Sequence, residues 1–290
     1  MFDGVHSGHR SILDKIIEQA KNNDGESVVL SFWPHPRMLF EGENCSLKFL
    51  TSNEEKAILL DEIGIDHFIL YPFTREFSTL SPRQYVEEIL VNQIGVKKVI
   101  IGYDHRFGFK GAGGFAEMVA FGQEFGFDVE QISAFEIDQE NISSSKIREA
   151  LTVGDIALAN SYLSYEYSIF GTVVKGNQIG RTIGYPTVNI EPTFTQKLIP
   201  GNGIYVVEVE IEQIKYQAVA NVGNRPTVVE NQILPNVEAY ILDFNRDVYG
   251  KAISIIFKHK LRDELKFSSL ELLVVQIGKD VENAKQWFAL

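Results

Sequence analysis

The sequence predicts two domains of different class. Residues 1–160 are predicted to form an α/β domain with a doubly wound parallel sheet, and residues 161–290 an antiparallel β-barrel or sandwich with a terminal helix. Short apolar segments alternate with amphipathic helical patterns through the first half, which is typical of parallel sheets. From Tyr167 onward the pattern changes to alternating strands separated by turns. A chain of 290 residues is also long enough to bury a core in each domain.

The elements of the first half alternate between helix and strand. Apolar residues recur at helical spacing from Ile12 to Ala20, which predicts the first helix. Further helices are predicted after a cap at Thr51 or Ser52, after a Ser81-Pro82 cap, and from Phe115 to Phe125. The predicted strands are short and apolar, and they cover residues 28–32, 67–71, 98–101 and 128–132.

The second half begins with a short linker helix predicted from Asp155 to Leu163. The segments that follow alternate in hydrophobicity, as half-buried strands do, and they cover residues 204–211, 215–222, 237–242 and 253–258. Leu270, Leu273 and Ile277 share one helical face near the end, which predicts the terminal helix.

Composition excludes several classes of protein. The net charge is −12, which argues against nucleic acid as a partner because phosphate backbones require a basic face. Cys45 is the only cysteine, so no intrachain disulfide is possible and a reducing compartment fits. No apolar run has membrane-spanning length and no signal peptide is recognisable, so we expect a cytoplasmic protein without a membrane partner.

The segment from Phe170 to Ile190 carries the clearest chemistry. Its glycines, Gly176 and Gly180 among them, let backbone N–H groups approach a phosphate, and Arg181 adds positive charge. Thr187 and Asn189 lie two residues apart, so both project from one face of a strand and offer hard oxygen ligands to magnesium. The residue types alone also fit an ordinary glycine-rich hairpin with a polar strand exit.

The whole string resembles the nucleotide loop of riboflavin kinases. Val188 stands between Thr187 and Asn189 where that family usually has alanine. Two later strings are also similar to the family: residues 221–227, Asn-Val-Gly-Asn-Arg-Pro-Thr, and residues 237–244, Val-Glu-Ala-Tyr-Ile-Leu-Asp-Phe. The resemblance places the family's catalytic base at Glu238, although a strand carboxylate facing solvent is the ordinary alternative. It also places Arg262 and Phe267 in the segment that covers the flavin.

A second candidate site lies at the start of the first helix, in His6-Ser7-Gly8-His9. His6 and His9 are three residues apart and share a helix face, where free N–H groups and a positive dipole end favour an anion. Gly8 lets a phosphate approach the backbone between the two rings. A structural or surface histidine pair remains the ordinary alternative.

The first half resembles the nucleotidyltransferase domain of bacterial FAD synthetases. Residues 2–9 are similar to its His-x-Gly-His signature, and residues 32–36 to the exit of its second strand. The string around Asp104, Arg106 and Phe107 is similar to its flavin-side loop. Residues 142–148 are similar to its phosphate-binding helix start, with hydroxyls and counter-charges from Ser143, Ser144, Lys146 and Arg148. A Ser-capped helix with solvated cations is the alternative for that last segment.

Two departures from this family stand out. Its members have a complete strand before Phe-Asp-Gly, and this sequence lacks it, so we expect the sheet to lack its first strand and the natural protein to have residues before Met1. Residues 109–114 also lack the polar and basic residues usual after Phe-Gly.

The two resemblances together imply an enzyme with two reactions. It would phosphorylate riboflavin to FMN with ATP and magnesium, and adenylylate FMN to FAD with release of pyrophosphate. Flavins are then substrate and product, and ATP, riboflavin and FMN are the small-molecule partners. Two alternatives stay open: a riboflavin kinase with an impaired adenylyltransferase domain, and a non-catalytic flavin-binding regulatory protein.

Overall fold

The computed structural model describes residues 2–42, 45–103, 105–132, 142–176, 178–226 and 233–290. The chain divides into two compact units. The first comprises Met1–Leu47 and Asn53–Ile142, and the second comprises Lys48–Ser52 and Ser143–Leu290. The border between the two compact units need not coincide with the border between the functional domains. The functional boundary near residue 160 therefore stays a prediction.

The first unit is α/β. Its helices are α1 (Ser7–Asn22), α2 (Pro36–Glu41), α3 (Asn53–Ile63), α4 (Pro82–Gln84), which runs into a π-helical segment at Tyr85–Ile94, and α5 (Phe115–Phe125). Its strands are β1 (Val28–Trp33), β2 (His67–Pro72), β3 (Lys98–Gly102) and β4 (Asp128–Ile132). The α/β class and the parallel strands predicted from the sequence are confirmed.

The parallel strands form two separate pairs, β1 with β2 and β3 with β4. In the described part of the chain no strand pairs with both β1 and β3. The pairs still share an apolar cluster, because Leu30 and Phe32 of β1 and Val99 of β3 pack around Tyr85 and Ile101. Burial of such side chains contributes about 1.5–3 kcal/mol each, so packing holds the unit together where the ladder is interrupted.

The second unit begins with two helices and continues as a closed antiparallel barrel. The helices are α6 (Ser144–Val153) and α7 (Ile156–Leu163), and Asp155 caps α7 by accepting the Leu158 N–H at 3.1 Å. The strands are β5 (Ser168–Val174), β6 (Thr187–Pro192), β7 (Gly203–Ile211), β8 (Ile214–Pro226), β9 (Ile233–Ile241) and β10 (Ala252–Arg262). A short helix α8 (Ile179–Thr182) precedes β6, and α9 (Leu270–Phe288) follows β10.

The barrel closes in the order β10-β5-β6-β9-β8-β7. Closure leaves no unpaired edge, so every strand is fixed on both sides by ladder hydrogen bonds. The barrel and terminal helix predicted from the sequence are therefore confirmed, and β6 and β9 become direct neighbours. In the part of the chain that the structure describes, none of the helices has the length and apolar character that a bilayer crossing needs.

Candidate active sites

Glu238 lies on β9, where side chains alternate between the barrel interior and the opposite face. Val237, Ala239 and Ile241 are buried in the barrel core. Because successive residues of a strand point to opposite faces, Glu238 projects away from those three and is only partly buried. The strand thus presents a carboxylate on a rigid support.

Four polar side chains surround Glu238. Asn189 on β6 and Asn221 on β8 are its cross-strand partners, and such partners project from the same face about 5 Å apart. Both carboxylate oxygens accept hydrogen bonds: Asn236 Nδ2 donates to Oε1 at 2.7 Å, and Thr187 Oγ1 donates to Oε2 at 3.3 Å. The barrel therefore brings together Glu238, Thr187 and Asn189, which the sequence singled out separately.

The side chain of Asn189 has the character of a ligand. It is 5% exposed, and its Oδ1 is buried without a hydrogen-bond partner among the described residues. A buried amide oxygen without a partner costs about 1–3 kcal/mol, so such an atom calls for a ligand. With the nearby Thr187 hydroxyl it forms a pair of hard oxygens, the type of donor that magnesium prefers. The residues present fit that ion.

The glycine loop packs closely against these oxygens. A Cβ added at Gly176 would lie 2.6 Å from Cγ and 2.7 Å from Oδ1 of Asn189, so there is no room for a side chain there. A Cβ at Gly180 would collide with the backbone carbonyl of Tyr185 and lie 3.5 Å from Thr187 Oγ1. Arg181 in α8 is exposed beside this loop. The loop backbone thus comes close to Thr187 and Asn189, as the sequence predicts for a phosphate-binding loop.

His6 and His9 form a stacked pair in the first unit. His6 precedes the first turn of α1, and the two ring centroids lie 3.6 Å apart with 20° between the planes. A Cβ at Gly8 would lie 3.3 Å from His6 Nδ1, so the glycine keeps the space beside the ring open. Burial, followed by the neighbouring His6 and Lys56, lowers the pKa of His9 well below its ordinary value of 6.5. His9 is therefore neutral at physiological pH.

The segment from Ser143 to Arg148 lies in the second unit, at the start of α6. The Ser143 hydroxyl accepts the Lys146 N–H at 3.3 Å and so caps the helix. Arg148 Nε donates to the carbonyl of Lys48 at 2.9 Å. Ser143 thus caps the helix, as the alternative interpretation of this segment expects. The phosphate-binding roles of Ser143, Ser144, Lys146 and Arg148 stay predictions.

The predicted flavin-side loop of the first unit is described in part. Asp104 lies outside the described residues. Phe107 is 6% exposed and packs in the apolar cluster, with its ring centroid 5.7 Å from that of Tyr85. Arg106 lies beside Gly114, where an added Cβ would be 2.9 Å from the guanidinium. The flavin-binding roles of these residues stay predictions, and Phe107 also has a place in the core.

Arg262, which the sequence predicts to contact the flavin, forms a bidentate salt bridge with Asp280 of the terminal helix α9. Its Nε and Nη2 donate to the two carboxylate oxygens of Asp280 at 2.9 and 2.6 Å. The side chain of Asp280 is 4% exposed, and Gln276 donates to it as well at 2.9 Å. Phe267 is partly buried in the segment between β10 and α9. The bridge holds α9 against the barrel, and a flavin contact by Arg262 or Phe267 stays a prediction.

Sequence reasoning missed three polar residues at these sites: Asn236, Asn221 and Asp280. Asn236 stands two residues before Glu238, and that spacing alone places both on one strand face. Asn221 was part of a recognised string but had no role assigned. Asp280 follows Gln276 at helical spacing, but its partner Arg262 is on another element, so no local pattern links them.

Comparisons with known proteins agree with this geometry. Residues 1–146 match the family model for FAD synthetase, and residues 163–288 match the model for riboflavin kinase. A bifunctional riboflavin kinase/FMN adenylyltransferase from Haemophilus influenzae is 39% identical over 99% of this chain and 92% of its own length. The protein of the same description from Escherichia coli K12 is 36% identical over 100% of this chain and 91% of its own length.

A solved structure shares the architecture of the whole chain. The crystal structure described as a macrolide-efflux protein from Streptococcus pneumoniae matches with a TM-score of 0.88 and 30% identity, over 99% of this chain and 92% of its own length. Its description differs from those of the sequence relatives, whereas both family models and those relatives agree with one another. The chain therefore belongs to the family of bifunctional riboflavin kinase/FMN adenylyltransferases, enzymes that convert riboflavin to FMN and FMN to FAD.

Proposed function

We propose that the polar cluster around Glu238 is the riboflavin kinase site of this chain, with Glu238 as the general base. The proposal rests on two groups that lie on adjacent strands of one barrel. The Glu238 carboxylate is fixed by hydrogen bonds, and the buried Oδ1 of Asn189 has no hydrogen-bond partner among the described residues. The 5′-hydroxyl of riboflavin attacks the γ-phosphorus of ATP, its proton passes to Glu238, and ADP leaves. A hydroxyl is a poor nucleophile at neutral pH, so a base within hydrogen-bond reach accelerates the step.

Thr187 and Asn189 hold the nucleotide's magnesium in this proposal. The Asn189 Oδ1 is buried without a hydrogen-bond partner among the described residues, and the Thr187 hydroxyl donates to Glu238 and keeps its oxygen lone pairs, so these two oxygens would hold the ion. When bound, the ion supplies charge neutralisation for the phosphate oxygens. Backbone N–H groups around Gly176 and Gly180 hold the phosphates, and Arg181 adds positive charge.

The first unit carries adenylyl transfer in this proposal. An FMN phosphate oxygen attacks the α-phosphorus of ATP and pyrophosphate leaves, so the step needs charge stabilisation more than a strong base. Since His9 is neutral, it contributes a hydrogen bond from its N–H. The flavin contacts assigned to Asp104, Arg106, Phe107, Arg262 and Phe267 complete the proposal. Its substrates are ATP, riboflavin and FMN, and its proposed location is the cytoplasm.

The Glu238→Gln variant tests the kinase site. FMN formation from riboflavin should fall by roughly 10²–10⁴, the usual contribution of a general base. FAD formation from supplied FMN should keep its wild-type rate, since that reaction uses other residues. Both rates are measured by separating riboflavin, FMN and FAD by chromatography. An unchanged FMN rate, with the protein folded, overturns the assignment of Glu238.

A further inference from the structure

Asn236 lies beside the proposed base Glu238 and donates a hydrogen bond to its carboxylate. It stands two residues before Glu238 on β9, so the two side chains share one strand face. Its Nδ2 donates to Glu238 Oε1 at 2.7 Å, whereas the Thr187 hydroxyl donates to Oε2 at 3.3 Å. A donor at 2.7 Å has the length typical of a bond to a charged acceptor, and such bonds are about twice as strong as neutral ones.

The surroundings of Glu238 make this amide bond important. Its cross-strand partners on β6 and β8 are the uncharged Asn189 and Asn221. The carboxylate of Glu264 also lies on this face, against Gly223, which is the β8 partner of Asn236. No described cation stands directly opposite Glu238 in the register. Among the described residues, the hydrogen bonds from Asn236 and Thr187 are therefore what fixes the position of its carboxylate.

We propose that Asn236 is a positioning residue for riboflavin phosphorylation, which fixes the Glu238 carboxylate through Oε1. This inference rests on the proposed role of Glu238. With Oε1 held by the amide, rotation about the terminal bond of the glutamate is restricted. Oε2, which has the longer and weaker bond, is then the oxygen presented to the substrate hydroxyl. The proton taken from that hydroxyl goes to Oε2.

Three substitutions of Asn236 test the proposal. Asn236→Leu removes the donor and should lower kcat for FMN formation about tenfold while KM for ATP stays constant. Asn236→Asp keeps the size of the side chain but replaces the donor with a second carboxylate beside Glu238, so it should lower kcat at least as much. Asn236→Gln keeps an amide donor and should recover part of the rate.

Gln217→Glu on β8 is the matched control. It makes the same amide-to-acid change on the exposed barrel surface, opposite Glu208 rather than Glu238. Its kcat and KM for FMN formation should equal those of the wild type, and thermal unfolding confirms that each variant is folded. A folded Asn236→Leu protein with wild-type kcat overturns the positioning role. If Glu238→Gln itself retains full FMN formation, the proposed base fails, and the inference about Asn236 fails with it for that separate reason.

Discussion

In the proposed kinase site Gly176 packs directly against the Asn189 side chain, and this contact gives a sharp prediction for Gly176→Ala. The added methyl would lie 2.6 Å from Cγ and 2.7 Å from Oδ1 of Asn189, distances that real Cβ atoms essentially never show. Because carbon atoms pack at about 3.5–4.0 Å, the amide or the loop has to move by roughly 1 Å. Asn189 is 5% exposed, so it has little space in which to rotate without displacing Oδ1.

The displacement affects function more than folding. The atoms met by the methyl belong to a side chain, so the β5–β6 ladder is kept and the unfolding temperature should change little. Misplacing a catalytic element by about 1 Å costs on the order of 10²-fold in rate. We therefore expect FMN formation to fall about 100-fold, which corresponds to about 2.7 kcal/mol in the activation barrier, with a higher magnesium concentration needed for half-maximal rate.

The assay contains its own control. FAD formation from supplied FMN is measured in the same preparation and should be unaltered, since Gly176 belongs to the barrel. Gly25→Ala is a matched glycine change in the first unit, where the nearest atom to an added Cβ is 3.8 Å away, and it should leave FMN formation unaffected. If Gly176→Ala forms FMN at the wild-type rate with the same magnesium dependence, the reasoning about Asn189 as a ligand is refuted.

Three further predictions follow from other contacts. Asn189→Leu should weaken the use of Mg-ATP while the barrel stays folded, and an unaltered magnesium titration of FMN formation would show that Asn189 is only a strand residue. Arg262→Gln leaves the buried Asp280 without its cationic partner and should destabilise the barrel by about 3–5 kcal/mol in denaturant unfolding, whereas Arg246→Gln in an exposed ion pair should change little. Because the folded-state pKa of His9 is lowered, the unfolded state binds more protons below about pH 6.5, so the first unit should lose up to about 1.4 kcal/mol per pH unit on acidification. His9→Gln should flatten that dependence, and an equally steep slope in the variant would contradict it.

The sequence predicted most elements because their signals are local. Strands β1 to β4 fell within one residue of their predicted positions, since each is a short apolar run between helices. Strands β7 to β10 were found from their alternating hydrophobicity, and the linker helix predicted from Asp155 to Leu163 corresponds to α7. Helix α2 was not predicted because it is short and begins directly at Pro36.

Cross-strand positions were less accessible to sequence reasoning. The spacing of Thr187 and Asn189 predicts a shared face, but it does not say that Glu238 lies opposite Asn189. That register depends on the turns and strands between residues 192 and 233, and a shift of one residue would move Glu238 to the other face. Arg262 shows the same limit, because its partner Asp280 lies on a helix whose docking no local pattern specifies.

The proposed kinase site has two groups of residues, and different measurements can test each group separately. Glu238 and Asn236 lie on β9, and they govern where the proton goes, so changes there should appear in kcat for FMN formation. Asn189 lies on β6 against the glycine loop, and changes there should appear in the magnesium titration. The Thr187 hydroxyl touches the carboxylate and stands beside the loop, so it belongs to both groups. Thr187→Val, which removes the hydroxyl and keeps the branched shape, should therefore shift both readouts at once, and a shift in only one would assign Thr187 to that group alone.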